Sequence, residues 1–249
     1  MLSKNTVKFI KSLHQKKFRV QERMFFVEGE KSVVEVLNSD FRLELLVATE
    51  SFIHKNNRLI NSSSAHVIQA SQKQLEGLGQ YQSNDSALAV VHMKVNSSFD
   101  FPEGEFVLGL DEVRDPGNLG TIIRIADWYG IKNLVFSEHT AEFYNPKVIQ
   151  STMGSFTRVN FFYADLRRTF QAWNVPVYGA FLDGKNVHEL RQVSSGVILM
   201  GNESNGISDN IGGFVTDRVT IPGFGQAESL NVAIATAVLC DNFKRLQVQ

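Results

Sequence analysis

The 249-residue sequence predicts an α/β protein whose second half is built on a parallel sheet. Short apolar runs alternate with helical patterns along the chain, and several runs in the second half are continuously apolar. A continuous apolar run is typical of a strand that is buried on both faces, as in a parallel sheet covered by helices. The apolar fraction of 43% and the charged fraction of 20% are those of an ordinary globular protein.

The first hundred residues predict a small α/β domain. Val7, Ile10 and Leu13 recur at helical spacing beside lysines, which indicates an amphipathic first helix. The next expected elements are a strand at Phe25–Val27, a helix at Lys31–Leu37, and strands at Leu43–Ala48, Ala65–Gln69 and Ala87–His92. Residues 96–104 lack periodicity and contain Pro and Gly, which indicates a linker between domains at 1–95 and 105–249.

The second domain alternates strands and helices more regularly. Expected strands are Phe106–Leu110, Asn133–Phe136, Arg158–Phe162, Val177–Ala180, Val197–Met200 and Arg218–Ile221. Expected helices are Leu119–Tyr129, Pro146–Ser151, Asp165–Trp173, Ser208–Ile211 and Leu230–Leu246.

Charge is unevenly distributed along the chain. The formal net charge is −1, yet residues 1–23 hold seven basic residues against one acid, Glu22. Two interpretations stay open: a surface that binds a polyanion, or a solvated helix face. The basic residues are Lys4, Lys8, Lys11, Lys16, Lys17, Arg19 and Arg23.

Several classes of protein are disfavoured. The single cysteine, Cys240, allows no intramolecular disulfide and indicates a reducing compartment, and its place in an apolar helical pattern predicts a buried structural thiol. The six histidines show no metal-ligand spacing, so we expect no metal site. The sequence has neither an apolar signal core nor a run of roughly 18 apolar residues, so we expect a cytoplasmic protein that does not contact membranes.

Three polar loops each follow an expected strand: 111–120, Gly201–Gly206 and 221–232. Because ligands bind at the carboxyl ends of parallel strands, the loops indicate one composite site and therefore an enzyme. Arg124, six residues after Asn118, either reaches back to the first loop or pairs with Asp127 on the helix surface. Neither a dinucleotide fingerprint nor a phosphate-binding loop is present, because the required third Gly and the Gly-Lys-Ser/Thr sequence are missing.

The three loops together resemble the three motifs of the SpoU/TrmH family of RNA 2′-O-methyltransferases. Asp115–Arg124 is similar to motif 1, Leu199–Ser208 to motif 2, and Ile221-Pro222 with Ser229–Val232 to motif 3. The run from Lys16 to Lys31 resembles the auxiliary RNA-binding domain of many members, which favours the polyanion interpretation of the basic residues and adds Lys31 to them.

The resemblance implies a parallel-sheet catalytic domain with a C-terminal trefoil knot, preceded by a small α/β RNA-binding domain. It also implies a homodimer formed through the C-terminal domain. The implied catalytic residues are Asn118, Arg124, Glu203, Ser229 and Asn231. S-adenosylmethionine would be held mostly by the backbone of Leu199, Met200, Gly201, Asn202, Ile221, Pro222, Gly223, Leu230 and Asn231.

The implied reaction is methyl transfer from S-adenosylmethionine to a ribose 2′-hydroxyl of a structured RNA, with ribosomal RNA favoured over transfer RNA. A non-catalytic RNA-binding protein and a base-methylating relative are the alternatives. Two positions depart from the family pattern: Gly223 stands where Met is common, and Ala233 where Ser is common. We expect the first to reshape the adenine pocket and the second to remove a hydroxyl near the cofactor.

Overall fold

Two compact units make up the chain in the computed structural model, which describes residues 2–63, 65–80 and 83–247. Unit 1 comprises Met1–Val95 and Phe143–Thr157, and unit 2 comprises Asn96–Glu142 and Arg158–Gln249. The strands are β1 (Met24–Glu28), β2 (Leu43–Ala48), β3 (His66–Gln69), β4 (Ala87–His92), β5 (Phe106–Leu110), β6 (Asn133–Phe136), β7 (Asn160–Tyr163), β8 (Val177–Asn186), β9 (Gly196–Met200) and β10 (Asp217–Thr220). The helices are α1 (Lys4–Ser12), α2 (Lys16–Glu22), α3 (Glu30–Leu37), α4 (Glu50–Lys55), α5 (Asn57–Ser62), α6 (Gln72–Glu76), α7 (Pro116–Trp128), α8 (Pro146–Thr152), α9 (Leu166–Trp173), α10 (Asp209–Gly212) and α11 (Val232–Gln247).

Unit 1 contains a mixed four-stranded sheet in the order β1-β4-β2-β3, in which only β2 and β3 are parallel. One apolar cluster joins helices to this sheet. Ile10 of α1 and Leu75 of α6 pack there with Phe26, Val47 and Val90 from the strands. Helix α1 was predicted from the spacing of its apolar residues, and its apolar face packs against the core as expected.

The segment Phe143–Thr157 belongs to unit 1, although the sequence prediction left it in the second domain. Its aromatic residues explain the difference. The Tyr144 ring lies 4.5 Å from that of Phe25, and the Phe156 ring lies 5.5 Å from that of Phe41. Aromatic burial of this kind depends on tertiary contacts between distant parts of the sequence, and so no local pattern reveals it.

Unit 2 is an α/β structure on a six-stranded sheet in the order β10-β8-β9-β5-β6-β7, and every pair is parallel. All residues of β5 and β9 are buried, which confirms the interpretation of their continuous apolar runs. These two strands are neighbours, and Leu110 is paired with Met200 at their ends. The loops that follow β5 and β9 therefore begin side by side.

The sequence prediction was wrong in some elements. It missed α2, α4, α5 and α6, which have five to seven residues each. It also ended β8 at Ala180, whereas the strand continues to Asn186 because its second half pairs with the end of β10 across a register shift. Segments 96–104 and 221–231 contain no helix or strand.

Arg19 was predicted to bind RNA, and its position in the structure contradicts that prediction. Its side chain is only 2% exposed, and its guanidinium donates hydrogen bonds to the carbonyl oxygens of Leu13 (2.9 Å) and His14 (2.8 Å). It thereby satisfies the backbone of the turn that joins α1 to α2. The other basic residues of the predicted set are exposed: Lys4, Lys8, Lys11, Lys16, Lys17, Arg23 and Lys31.

We expect Arg19→Ala to destabilise unit 1 by about 2–4 kcal/mol, because it leaves buried carbonyl oxygens without donors. Urea unfolding followed by circular dichroism measures the loss. Lys16→Ala, which removes an exposed charge from the same helix, is the matched control and should change stability by less than about 0.5 kcal/mol. Equal effects of the two substitutions would contradict the structural role of Arg19.

Candidate active site

The first loop ends at a capped helix. Asp115 precedes α7, and its Oδ1 accepts a hydrogen bond from the backbone N–H of Asn118 at 2.8 Å. Pro116 occupies the first turn of α7, where its missing N–H costs no hydrogen bond. These two features hold Asn118 in the first turn, close to the strand end.

Glu203, from the second loop, binds the first loop through both carboxylate oxygens. Its Oε1 accepts from the backbone N–H of Asp115 (3.2 Å) and from Nδ2 of Asn118 (3.0 Å). Its Oε2 accepts from the backbone N–H of Arg114 (3.3 Å) and from Nδ2 of Asn202 (3.4 Å). Partial burial acts to raise the pKa of Glu203, but the hydrogen bonds to its carboxylate outweigh burial and hold that pKa below its usual value.

Asn231 joins the third loop to the same network. Its Nδ2 donates to Oδ1 of Asn118 at 3.0 Å. Its Oδ1 accepts the backbone N–H of Ala233 at 2.9 Å, so that Asn231 also caps the start of α11. Asn118, Glu203 and Asn231, called the polar triad below, bring together three segments: Asn118 is 85 residues from Glu203 and 113 residues from Asn231 along the chain.

The second loop is a closed turn that requires glycine. Asn202 and Gly206 exchange backbone hydrogen bonds of 2.9 and 3.0 Å, and Gly206 has a φ of +68°. A Cβ on Gly201 would lie 2.2 Å from the carbonyl carbon of Gly206, so only glycine fits there. The turn fixes Glu203 at its tip.

Arg124 lies six residues, or less than two turns, after Asn118 on α7, and it is exposed. It has no hydrogen bond or ion pair with any residue that the structure describes. The interpretation in which it pairs with Asp127 was wrong, because the Asp127 carboxylate accepts from Nε (3.0 Å) and Nη2 (2.8 Å) of Arg158. The guanidinium of Arg124 is therefore available for an external anion.

A cavity of about 830 Å³ opens beside the triad in unit 2. It is lined by residues of the second and third loops, of α11, of the middle of β8 and of the end of β10, and Glu203 and Ser229 are on its wall. Six of the predicted cofactor-binding residues line it: Gly201, Asn202, Ile221, Pro222, Gly223 and Leu230. The remaining three do not line it: Leu199 and Met200 are buried in β9, and the side chain of Asn231 binds Asn118 and the start of α11.

Ala233 is 2% exposed and is not among the residues that line this cavity. The expectation that it removes a hydroxyl near the cofactor is therefore unsupported, since a serine there would place its hydroxyl among buried atoms.

Cys240 is buried as predicted, and burial raises the pKa of its thiol to about 12. A thiol with so high a pKa is not a nucleophile at neutral pH.

A second cavity, of about 630 Å³, lies between α1 and α6 in unit 1. Lys4, Lys8 and Lys11 line one side, and Lys73, which the sequence analysis missed, lines the other. No carboxylate is among the described residues of its wall. His14 Nε2 is 2.9 Å from the carbonyl oxygen of Leu78, a contact that helps to hold α1 beside the end of α6. We call this cavity the lysine groove.

Comparison with known proteins identifies the family. The model of the SpoU rRNA methylase family matches residues 105–241. The chain belongs to this family. The model of the MRM3-like substrate binding domain matches residues 4–89. The resemblance found from the three motifs is thereby confirmed.

Individual relatives of this SpoU-family protein are similar over nearly their whole length. The 23S rRNA (guanosine(2553)-2′-O)-methyltransferase RlmP of Bacillus subtilis is 33% identical over 94% of this chain and 93% of its own. A TrmH-family structure from Porphyromonas gingivalis has 35% identity and a TM-score of 0.85, covering 98% of this chain and 99% of its own. An AdoMet-bound rRNA methyltransferase from Sinorhizobium meliloti has 28% identity and a TM-score of 0.88, covering 98% and 96%.

Within the ranges that the structure describes, no group of His, Cys, Asp or Glu side chains is arranged to hold a metal ion. None of the helices there combines the length and the apolar character that crossing a membrane requires.

We expect Glu203→Gln to loosen the first loop. All four groups around the carboxylate donate, whereas an amide offers one acceptor oxygen and an NH2 group that can only donate. Amide hydrogen exchange of Arg114 and Asp115 should therefore accelerate by about tenfold, the equivalent of one lost hydrogen bond of about 1.4 kcal/mol. Glu228→Gln is the matched control, because Glu228 lines the same cavity and hydrogen-bonds to no described residue.

The pH dependence of this protection follows from the lowered pKa of Glu203. Its contribution is complete above the ordinary carboxyl pKa and is lost only as the pH falls through the lower value of the folded protein. Unchanged exchange at Arg114 and Asp115 in Glu203→Gln would show that the carboxylate does not hold the loop.

Proposed function

We propose that the protein transfers the methyl group of S-adenosylmethionine to a ribose 2′-hydroxyl of ribosomal RNA, with Arg124 and the polar triad at the reaction centre. The observation that carries this proposal is the triad itself. It joins the segments that resemble the three family motifs, and it lies next to a cavity of about 830 Å³. Arg124, which pairs with none of the described residues, is on the same helix as Asn118.

The cavity suits S-adenosylmethionine in size and lining. Its volume lies within the roughly 300–1,000 Å³ of small-molecule sites. Backbone of the second and third loops, including Gly201 and Gly223, supplies amides and carbonyls without large side chains in the way. S-adenosylmethionine, when bound, supplies a methyl group that is already activated, so the chain must align the ribose oxygen and assist the loss of its proton.

Arg124 is suited to anion binding and not to proton abstraction. A guanidinium stays charged because its pKa lies above about 12, which makes it a poor general base. It donates to a phosphate of the RNA and lowers the cost of negative charge that develops on the ribose oxygen. The proton then leaves to phosphate or water. Asn118 and Glu203 position the start of α7, and Ser229 and Asn231 order the third loop, residues 221–232.

Ribosomal RNA is the proposed substrate, in preference to transfer RNA, because the RlmP relative is named for 23S rRNA. Unit 1 supplies a surface for RNA phosphates. The ammonium groups of Lys4, Lys8, Lys11 and Lys73 in the lysine groove have no partner within the described ranges, and Lys16, Lys17, Arg23 and Lys31 extend the basic surface. Four unpaired cations on one groove attract a polyanion.

The homodimer and the trefoil knot are part of this proposal. Helices α7 and α11 pack together in unit 2 and leave Trp128 (83%) and Ile234 (54%) exposed. Exposed apolar side chains on two adjacent helices support a dimer interface there. Sedimentation velocity should give twice the mass of the chain, and a monomer would contradict the dimer.

The test of the reaction uses unmodified 23S rRNA transcript and S-adenosylmethionine with a tritiated methyl group. We expect one ribose-methylated nucleotide. Absence of calorimetric binding at millimolar S-adenosylmethionine would favour the non-catalytic RNA-binding protein, and a methyl group on a base would favour the base-methylating alternative.

We expect Arg124→Ala to lower the single-turnover rate by about 100- to 1,000-fold, because the donor to the developing charge is lost. Affinity for S-adenosylmethionine should stay within about threefold, the size of a small perturbation of about 0.6 kcal/mol. Arg168→Ala, at an exposed arginine of α9, is the matched control. A wild-type rate in Arg124→Ala would overturn the assignment, and weaker RNA binding with an unchanged single-turnover rate would make Arg124 an anchor alone.

We expect Lys8→Ala and Lys73→Ala each to lower the slope of log affinity against log salt by about one, because each removes one phosphate contact. Filter binding of 23S rRNA transcript at several salt concentrations measures the slope. Lys55→Ala is the matched control on the same unit, since Lys55 is already paired with Glu30. An unchanged slope in Lys73→Ala would exclude the lysine groove as the phosphate site.

A further inference from the structure

Three large apolar side chains are exposed on the wall of one cavity. Leu182 (77%), Phe224 (97%) and Leu230 (50%) all line the 830 Å³ cavity beside the polar triad. Eight large apolar side chains are exposed among the described residues, and three of these eight line this one cavity. Scattered exposed apolar residues are ordinary, but their concentration around one cavity marks a surface that a ligand covers.

Phe224 differs from the other two in its surroundings. It stands between Gly223 and Gly225, where an added Cβ would meet no atom within 4 Å. The surrounding segment, 221–231, contains no helix or strand. The phenyl ring therefore contacts almost nothing of its own chain, and its backbone is free to reorient. Its apolar surface contributes to no core until a ligand covers it.

The place of Phe224 indicates what that ligand is. Glu203 of the polar triad and Ser229 line the same cavity, so the ring is on the wall of the proposed reaction site. At 97% exposure the ring is covered by almost no atom of the described chain, so the group that covers it arrives from solvent. Unpaired bases of RNA stack on exposed aromatic side chains in this way.

We propose that Phe224 is a positioning residue that stacks on an unpaired base of the substrate RNA and so brings the neighbouring ribose to the polar triad. This inference rests on the proposed function, because it assumes that RNA enters at this cavity. The third loop would then have two roles: its backbone binds the cofactor, and Phe224 binds the RNA.

The test compares Phe224→Ala, Phe224→Leu and Phe224→Trp. Affinity for unmodified 23S rRNA transcript is measured by filter binding without cofactor, and affinity for S-adenosylmethionine by calorimetry without RNA. Loss of one stacked base lowers affinity roughly 5- to 100-fold, so Ala and Leu should weaken RNA binding by that factor. Trp should retain it, and its fluorescence should be quenched by RNA beyond the change seen in the wild type. Affinity for S-adenosylmethionine should stay within about twofold in all three, since the cofactor contacts proposed for this segment come from the backbone of Ile221, Pro222 and Gly223 and not from the ring.

Leu182→Ala is the matched control, because Leu182 is an exposed apolar side chain of the same cavity without an aromatic face. RNA binding of Phe224→Ala equal to wild type would overturn the proposal. So would a parallel loss of S-adenosylmethionine affinity, which would mean that the ring covers the cofactor, or a change in sedimentation, which would mean that it covers a second copy of the chain. Because RNA binding is measured without cofactor, failure of the methyl-transfer reaction is a separate result.

Discussion

The Glu203 carboxylate is the interaction on which the rest of the site depends. It accepts backbone hydrogen bonds from Arg114 and Asp115 and a side-chain hydrogen bond from Asn118. One carboxylate thus accepts hydrogen bonds from the first loop, which follows the neighbouring strand β5. Through Asn118 it is also connected to Asn231, the residue that caps α11. A neutral side chain could not accept from all of these donors at once. The hydrogen bonds that lower its pKa are the same ones that join the loops.

This arrangement depends in turn on the sheet. Because β5 and β9 are adjacent and end in register, the first and second loops start within hydrogen-bond distance of each other, as in the 2.8 Å bond from Asp111 N–H to the Met200 carbonyl oxygen. Glycines 201 and 206 close the second loop tightly and hold Glu203 at its tip. Buried apolar strands thereby fix polar groups that lie 85 to 113 residues apart in the chain, while Phe224 on the third loop stays exposed.

Much of this was predictable from the sequence, and the remainder was not for physical reasons. Strands such as β5 are continuously apolar, and their limits follow from that pattern. Helix α6 has only five residues, too few for a period to be recognised. Burial of one arginine in a basic run, and the approach of Lys73 to α1, result from tertiary packing. Charge counts cannot distinguish Arg19 from its exposed neighbours.

The proposed methylation of a ribose in ribosomal RNA through Arg124 and the polar triad can be tested in cells. The most direct test is a map of 2′-O-methylation in ribosomal RNA from cells with and without the protein, and from cells that carry Arg124→Ala. We expect that one ribose methyl group disappears without the protein, returns with the wild-type chain, and does not return with Arg124→Ala. An unchanged ribose map, or full restoration by Arg124→Ala, would contradict it.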